Sequence, residues 1–241
     1  MKTSLFTTLA GLAAGTALSH AATTTIDLLN QVPLVSENTS QIHWVSGSRG
    51  PGWTDNIGKP GQCTADNLLT DINAVPSLGA STGWQAAVSN LSLGNSDISS
   101  VTADGFNFIG RNGYGGEFVL LTIRLDDLGL TEKDSLSSLS ISGTAAGSSF
   151  GVSLFGYDSG SSTMTLLDSV RRSGDFSISA SDLSLSSGDV VYLLFSSTSA
   201  GASNTVSSLN MTATVESIPE PSAALLLPCA LVAATLRRRR K

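Results

Sequence analysis

Leu209-Asn210-Met211-Thr212-Ala213-Thr214-Val215-Glu216 decides the fold. Apolar Leu209, Met211, Ala213 and Val215 alternate without a break with polar Asn210, Thr212, Thr214 and Glu216. Successive side chains of a strand point to opposite faces, so this octet reads as a strand with one buried and one wet face. The same period recurs in Leu139 and Ile141 between serines, and in Phe176 and Ile178 between Ser177 and Ser179.

Working outward, residues 117–125 and 190–195 are apolar at both alternations and read as central strands covered on both faces. Further strands are expected at 26–29, 41–45, 84–93, 106–109, 150–157 and 164–170. Asn112-Gly113, Ser159-Gly160, Ser173-Gly174 and Ser187-Gly188-Asp189 mark turns between such runs. Many short strands with frequent turns predict an all-β chain, a single two-sheet β-sandwich of jelly-roll type. Helix is scarce; the best stretch is 65–72 after Thr64 as a possible N-cap, and its helical spacing is brief.

Charged residues make up 13% of the 241 residues, about half the usual share, so Ser, Thr, Gly and Asn supply most of the wet surface. That balance favours an extracellular β-protein over a cytosolic enzyme. The body, residues 22–217, holds 7 basic and 18 acidic residues, a formal net charge of −11. Nucleic acid is therefore not an expected partner, because phosphate binding needs a basic face. The body is long enough for one sizeable core, and one domain is expected. Cys229 lies in an apolar tail, so the body holds one cysteine, Cys63, and no disulfide within it is expected; Cys63 reads as a small buried hydrophobe.

Residues 1–21 read as a signal peptide: Lys2 supplies the positive start, an apolar stretch runs to Leu18, and Ser19-His20-Ala21 gives the small-x-small cleavage site ahead of Ala22. At the other end, residues 218–241 contain Pro219-Glu220-Pro221, an apolar stretch at 222–236, and Arg237-Arg238-Arg239-Arg240-Lys241. The apolar stretch has 15 residues, fewer than the ~20 that span a bilayer comfortably, and snorkelling arginines make up part of the shortfall. Five consecutive cations hold the extreme terminus on the cytoplasmic side. Prolines 219 and 221 block helix ahead of the membrane and leave an extended peptide that a protease can grip.

Motif, apolar stretch and basic terminus in that order resemble a PEP-CTERM sorting signal, carried by exported proteins of Gram-negative bacteria that make extracellular polysaccharide. The resemblance covers only this tail. It implies that an exosortase, an integral-membrane cysteine protease, recognises Pro219, Glu220 and Pro221 and removes the tail on the way to the cell surface or matrix. Pro228 departs from the pattern, because it would kink a helix in the middle of the span. The competing reading is a single-span anchor that is never cut. Under the resemblance the chain is expected to be a non-catalytic structural or adhesive protein of an exopolysaccharide biofilm, transiently anchored in the inner membrane.

Within the body, residues 46–62 form a Gly/Pro-rich loop that carries Trp53. An exposed indole there would stack on a sugar ring, which gives the alternative expectation of a carbohydrate-binding module. Trp44 and Trp84 read as core, and His43 as a packed strand residue, since one imidazole cannot build a zinc site. Gly147-Ser148-Ser149-Phe150-Gly151 matches nucleophile-elbow spacing, but that chemistry needs a helix after the serine and a strand pattern follows. Glu37, Glu117, Glu132 and Glu216 form no close pair of the kind a glycosidase uses. A hydrolase is thus the weakest reading, and no catalytic residue or cofactor is expected. Calcium is a softer expectation at Asp55-Asn56, Asp66-Asn67 or Asp126-Asp127, none of which has a recognised ligand spacing. If the strand before Asp126-Asp127 continued, the two carboxylates would point to opposite faces.

Overall fold

The computed structural model describes residues 20–31, 63–74, 79, 82–88, 101–109, 117–147, 150–197 and 202–217. In chain order the strands are β1 (His20–Asp27), β2 (Gly83–Val88), β3 (Phe106–Ile109), β4 (Glu117–Arg124), β5 (Asp134–Gly147), β6 (Phe150–Asp158), β7 (Thr163–Arg172), β8 (Phe176–Ala180), β9 (Leu185–Ser186), β10 (Val190–Ser197) and β11 (Ser203–Ser217). Among the described residues two helices join them, α1 (Leu28–Gln31) and α2 (Ala65–Ala74).

The strands form two sheets. One has six strands in the order β1-β11-β5-β8, with β3 also on β11 and β9 also on β5; the other has five in the order β2-β4-β10-β6-β7. Pairing is antiparallel, and β10 lies centrally, with Val191 opposite Ile123 on one side and Gly156 on the other. The sheets stack as an antiparallel sandwich, and the octet at 209–216 sits inside β11 with Leu209 and Met211 buried.

Aromatic rings from both sheets lock the inner faces together. Trp84, Phe150 and Phe195 of the five-stranded sheet meet Phe106, Phe108 and Phe176 of the other, with centroid separations of 5.1 Å for Phe106–Phe195 and 5.6 Å for Phe176–Phe195, both edge-on. Edge-to-face contacts suit ring quadrupoles and add to the apolar burial. Gly143 is small for this reason: a Cβ there would lie 2.6 Å from the Phe176 ring.

The two doubly apolar runs, β4 and β10, are covered on both faces as expected. Their second face, with Phe118, Leu120, Tyr192 and Leu194, joins Phe155 of β6 in a separate cluster that α2 covers through Leu68, Leu69 and Ile72. The helix begins where Thr64 predicts, its hydroxyl accepting the Asn67 N–H at 3.2 Å, and it runs on to Ala74. Ten residues of modest amphipathicity form a helix here because burial of Leu68 on the sheet supplies what propensity does not. Cys63, just before it, is buried in the same cluster, as its reading as a small hydrophobe requires.

Some boundaries differ from expectation. The strand expected at 26–29 lies earlier, as β1, and Leu28 and Leu29 belong to α1, whose start is fixed by the Asp27 carboxylate accepting the Leu29 N–H at 3.0 Å. Ala21 and Ala22, the expected cleavage pair, lie within β1, which opens at His20. The strand before Asp126-Asp127 does not continue through them: β4 ends at Arg124 and the pair lies in a turn. The expected strand at 41–45, the turn Asn112-Gly113 and the tail at 218–241 lie outside the described residues. Among the described residues no helix is long and apolar enough to cross a membrane.

Candidate functional site

Cross-strand register carries one row of side chains over the outer face of the five-stranded sheet. Arg124 lies opposite Val190, Val190 opposite Tyr157, and Tyr157 opposite Met164, so four strands contribute one residue each. Leu69, Ile72 and Asn73 of α2 rise beside this row, and Ser159 and Gly188 close the far rim. Between them lies a groove of about 460 Å³. Its floor is apolar along Val190 and Met164, and its polar heads belong to Tyr157, Tyr192 and Arg124.

Tyr192 and Arg124 are held by their neighbours. Tyr192 is 2% exposed, and burial pushes its phenol up to about 12, with the nearby Tyr157 adding to the effect and Arg124 opposing it. It therefore stays protonated, a donor at any physiological pH. Gly79 packs over it, since a Cβ at Gly79 would lie 3.0 Å from the Tyr192 hydroxyl. Arg124 donates from Nη1 to the Gly79 carbonyl at 3.4 Å, and its Nε lies 3.6 Å from Asp126 Oδ1. Its backbone N–H donates to the Thr82 hydroxyl at 3.0 Å, and that hydroxyl donates to Asp127 at 2.5 Å. The strand end that presents Arg124 is thus tied to the start of β2.

The far rim is held by carboxylates. Asp189, 4% exposed, accepts the backbone N–H and hydroxyl of Ser159 at 2.8 and 2.9 Å and those of Ser186 at 2.7 and 3.1 Å. Asp158 accepts the Gly160 and Ser161 N–H groups at 2.8 and 3.0 Å and the Ser161 hydroxyl at 2.8 Å, led by the Ser161 N–H in holding its carboxyl below the usual range. Gly188 has φ +89, a left-handed conformation that suits glycine in this turn. The predicted turn residues Ser159-Gly160 and Ser187-Gly188-Asp189 therefore meet as one rim.

The sequence-predicted site residues are distributed differently. Trp53 and the whole 46–62 loop, with Trp44, His43 and Asp55-Asn56, lie outside the described residues, as do Pro219, Glu220, Pro221 and the cluster Arg237 to Lys241. Trp84 is wholly buried, as expected. Phe150 opens strand β6, so no helix follows the elbow-like serines. Glu132 lies exposed in a turn and Glu216 exposed near the end of β11. Asp66 is in the first turn of α2, Asp126 pairs with Arg124 and Asp127 bonds Thr82. Among the described residues no three His, Cys, Asp or Glu converge on a point where a metal would sit.

Sequence reading missed the groove residues Arg124, Tyr157, Tyr192 and Met164. A signal existed: following alternate positions of the doubly apolar strands reaches Arg124 after Leu120 and Thr122, and Tyr192 after Val190.

The fold and site define an antiparallel β-sandwich with a ligand-sized groove beside a helix on one outer face. No family model and no curated protein matches the chain. Solved structures of similar outline include a xylan-binding module, CBM15, with 17% identity over 55% of this chain and 91% of that one, at a TM-score of 0.30. Another is the CBM22-1 xylan-binding domain of a Paenibacillus barcinonensis protein, at 15% identity over 54% and 84%, TM-score 0.34. A third is a carbohydrate-binding module, CBM36, solved with calcium and xylotriose, at 14% identity over 48% and 87%, TM-score 0.28. Superpositions this partial fix neither ligand nor function for this chain.

Proposed function

We propose that the protein is an exported, non-catalytic glycan-binding protein of the cell surface or extracellular matrix, and that it holds a sugar segment in the Arg124/Tyr157/Tyr192 groove. The observation that carries the reading is the groove itself: an apolar strip flanked by a tyrosine face and by a guanidinium held in place by the Gly79 carbonyl and Asp126. A pyranose offers one apolar face and a rim of hydroxyls, and this arrangement meets both. The half-buried Tyr157 is the platform and the half-buried Arg124 the hydrogen-bonding group, with Tyr192 packed beneath them.

The test is affinity electrophoresis of wild type and Tyr157→Ala in gels containing different polysaccharides. Loss of ring stacking worth about 1–1.5 kcal/mol predicts roughly tenfold weaker retention at unchanged thermal stability. Equal retention of both proteins refutes the groove.

Delivery is the second half of the proposal. The amino-terminal segment 1–21 directs export, and exosortase acts at Pro219-Glu220-Pro221, which places the body outside and leaves Arg237 to Lys241 behind. Mass analysis of the protein from cells with and without exosortase tests this. A terminus still ending in Lys241 in both strains refutes it.

A further inference from the structure

We infer that the outer face of the six-stranded sheet is a second contact surface, built for a neutral, hydroxyl-rich polysaccharide. Register sets Thr214 opposite Ser138, Thr212 opposite Ser140 and Asn210 opposite Ser142, while Ser179 and Ser177 continue from Ser140 and Ser142 on β8. On the other side β1 adds Thr23 and Thr25, whose hydroxyl oxygens lie 3.5 and 3.2 Å from those of Thr214 and Thr212. The result is a grid of nine hydroxyls and one amide, about 4.8 Å apart across strands and about 7 Å along them. All ten side chains are exposed or half-buried, and a hollow of about 310 Å³ opens over Ser138, Ser140, Ser179 and Thr212.

Charge selects the partner. β1, β5, β8 and β11 contain no lysine or arginine, and their acids, Asp27, Asp134 and Glu216, stand at or beside strand ends. Two of these are already engaged: Asp27 accepts the Leu29 N–H, and Asp134 accepts the Thr131 and Ser217 hydroxyls. Over these strands a polyanion would meet carboxylates and no lysine or arginine. A protein partner would meet no apolar anchor, since the large hydrophobic exposed among the described residues, Leu166, belongs to β7 of the other sheet. A neutral polysaccharide sets no charge against the carboxylates at the β8 edge, where Asp168 accepts the Ser179 N–H at 2.9 Å, and each serine or threonine hydroxyl can both donate to and accept from sugar hydroxyls.

Single bonds of this kind contribute little, because water competes for the same groups. Binding arises only when many form together along a long or packed polymer, as separate weak contacts reinforce one another. The face therefore fits an insoluble polymer surface, whereas the groove on the opposite face fits one sugar segment. A molecule carrying both would link polysaccharide layers.

The test uses the exported protein in the Tyr157→Ala background, so that failure of the groove reading leaves it intact. Co-sedimentation is measured with insoluble neutral β-glucan, xylan and mannan and with an insoluble polyuronate gel. Retention on at least one neutral polymer, undiminished by high salt and reduced at least tenfold by Ser140→Glu, is expected. Thr25→Glu, on the edge strand, gives the same loss if Ser140→Glu does not fold. No retention on any neutral polymer, retention on the polyuronate alone, or equal retention of both charged variants overturns the inference. So does retention that follows self-association of the protein, measured by sedimentation velocity, in place of polymer.

Discussion

The two outer faces of this sandwich obey the same alternation and end up as different surfaces. On β4, β10 and β6 the outward set includes Phe118, Leu120, Tyr192, Leu194 and Phe155, and it requires a cover, which α2 provides. On β11, β5 and β8 the outward set is Ser, Thr and Asn, and it requires none. The lesson is that a groove arises where a cover stops short. The helix ends at Ala74, the row from Arg124 to Met164 continues beside it, and the uncovered remainder is the candidate site. A face that needs no cover forms no such edge, and the shallow hollow on it is lined mainly by hydroxyls.

The largest expected effect comes from removing the cover's anchor. Leu68 is wholly buried against the five-stranded sheet, and Leu68→Ala should cost about 3 kcal/mol, within the ~2–5 range for a buried leucine. Urea unfolding checks it. A cost near zero would mean that the helix merely rests on the sheet, and the contrast between the faces would collapse.

Alkali probes the same face with a sign fixed by Tyr192. Its phenol rises from an unfolded value of 10.0 to about 12 in the fold. The unfolded chain therefore loses that proton first, so the stability it contributes is complete below about pH 10 and falls as pH rises through 12. Two units amount to at most about 3 kcal/mol. Tyr192→Phe should flatten this alkaline limb in pH-dependent unfolding, and an unchanged limb would place the hydroxyl in water.

How much of this could be read in advance depends on whether the information is local. Strand β3 and the wet and dry faces of β11 follow from neighbours in the chain, and the structure has them where alternation puts them. The double cover of β4 and β10 was legible as apolar runs, but its agent was not. Leu68, Leu69 and Ile72 make a short, weak helical pattern whose meaning appears only when the sheet lies beneath it. Leu28 and Leu29 looked like strand because their apolar character says buried, and only the Asp27 cap shows that the chain turns there. The groove was the least legible part, since Arg124, Tyr157, Tyr192 and Met164 become neighbours through register alone.

A smaller effect separates the rim from the floor. Asp189→Ala removes the acceptor for two N–H groups and two hydroxyls. With the hydroxyls free to turn to water, orphaning the two partly buried N–H groups should cost about 1–2 kcal/mol. Asp189→Asn, which keeps one carbonyl oxygen, should recover part of this. If instead both variants unfold like wild type but lose glycan retention, the rim serves binding rather than the fold.

The smallest effect belongs to the bare face, and its smallness is the point. Thr212→Ala removes a half-buried hydroxyl whose neighbour Thr25 lies 3.2 Å away. Both partners can reach water, so the change in unfolding free energy should stay within about 0.5 kcal/mol. Set against Leu68→Ala under the same urea conditions, the ratio measures how unequally the two faces share in stability. A Thr212→Ala cost approaching that of Leu68→Ala would mean that the hydroxyl rows hold the sheet together. Their regularity would then belong to the fold, leaving nothing on that face for a partner to read.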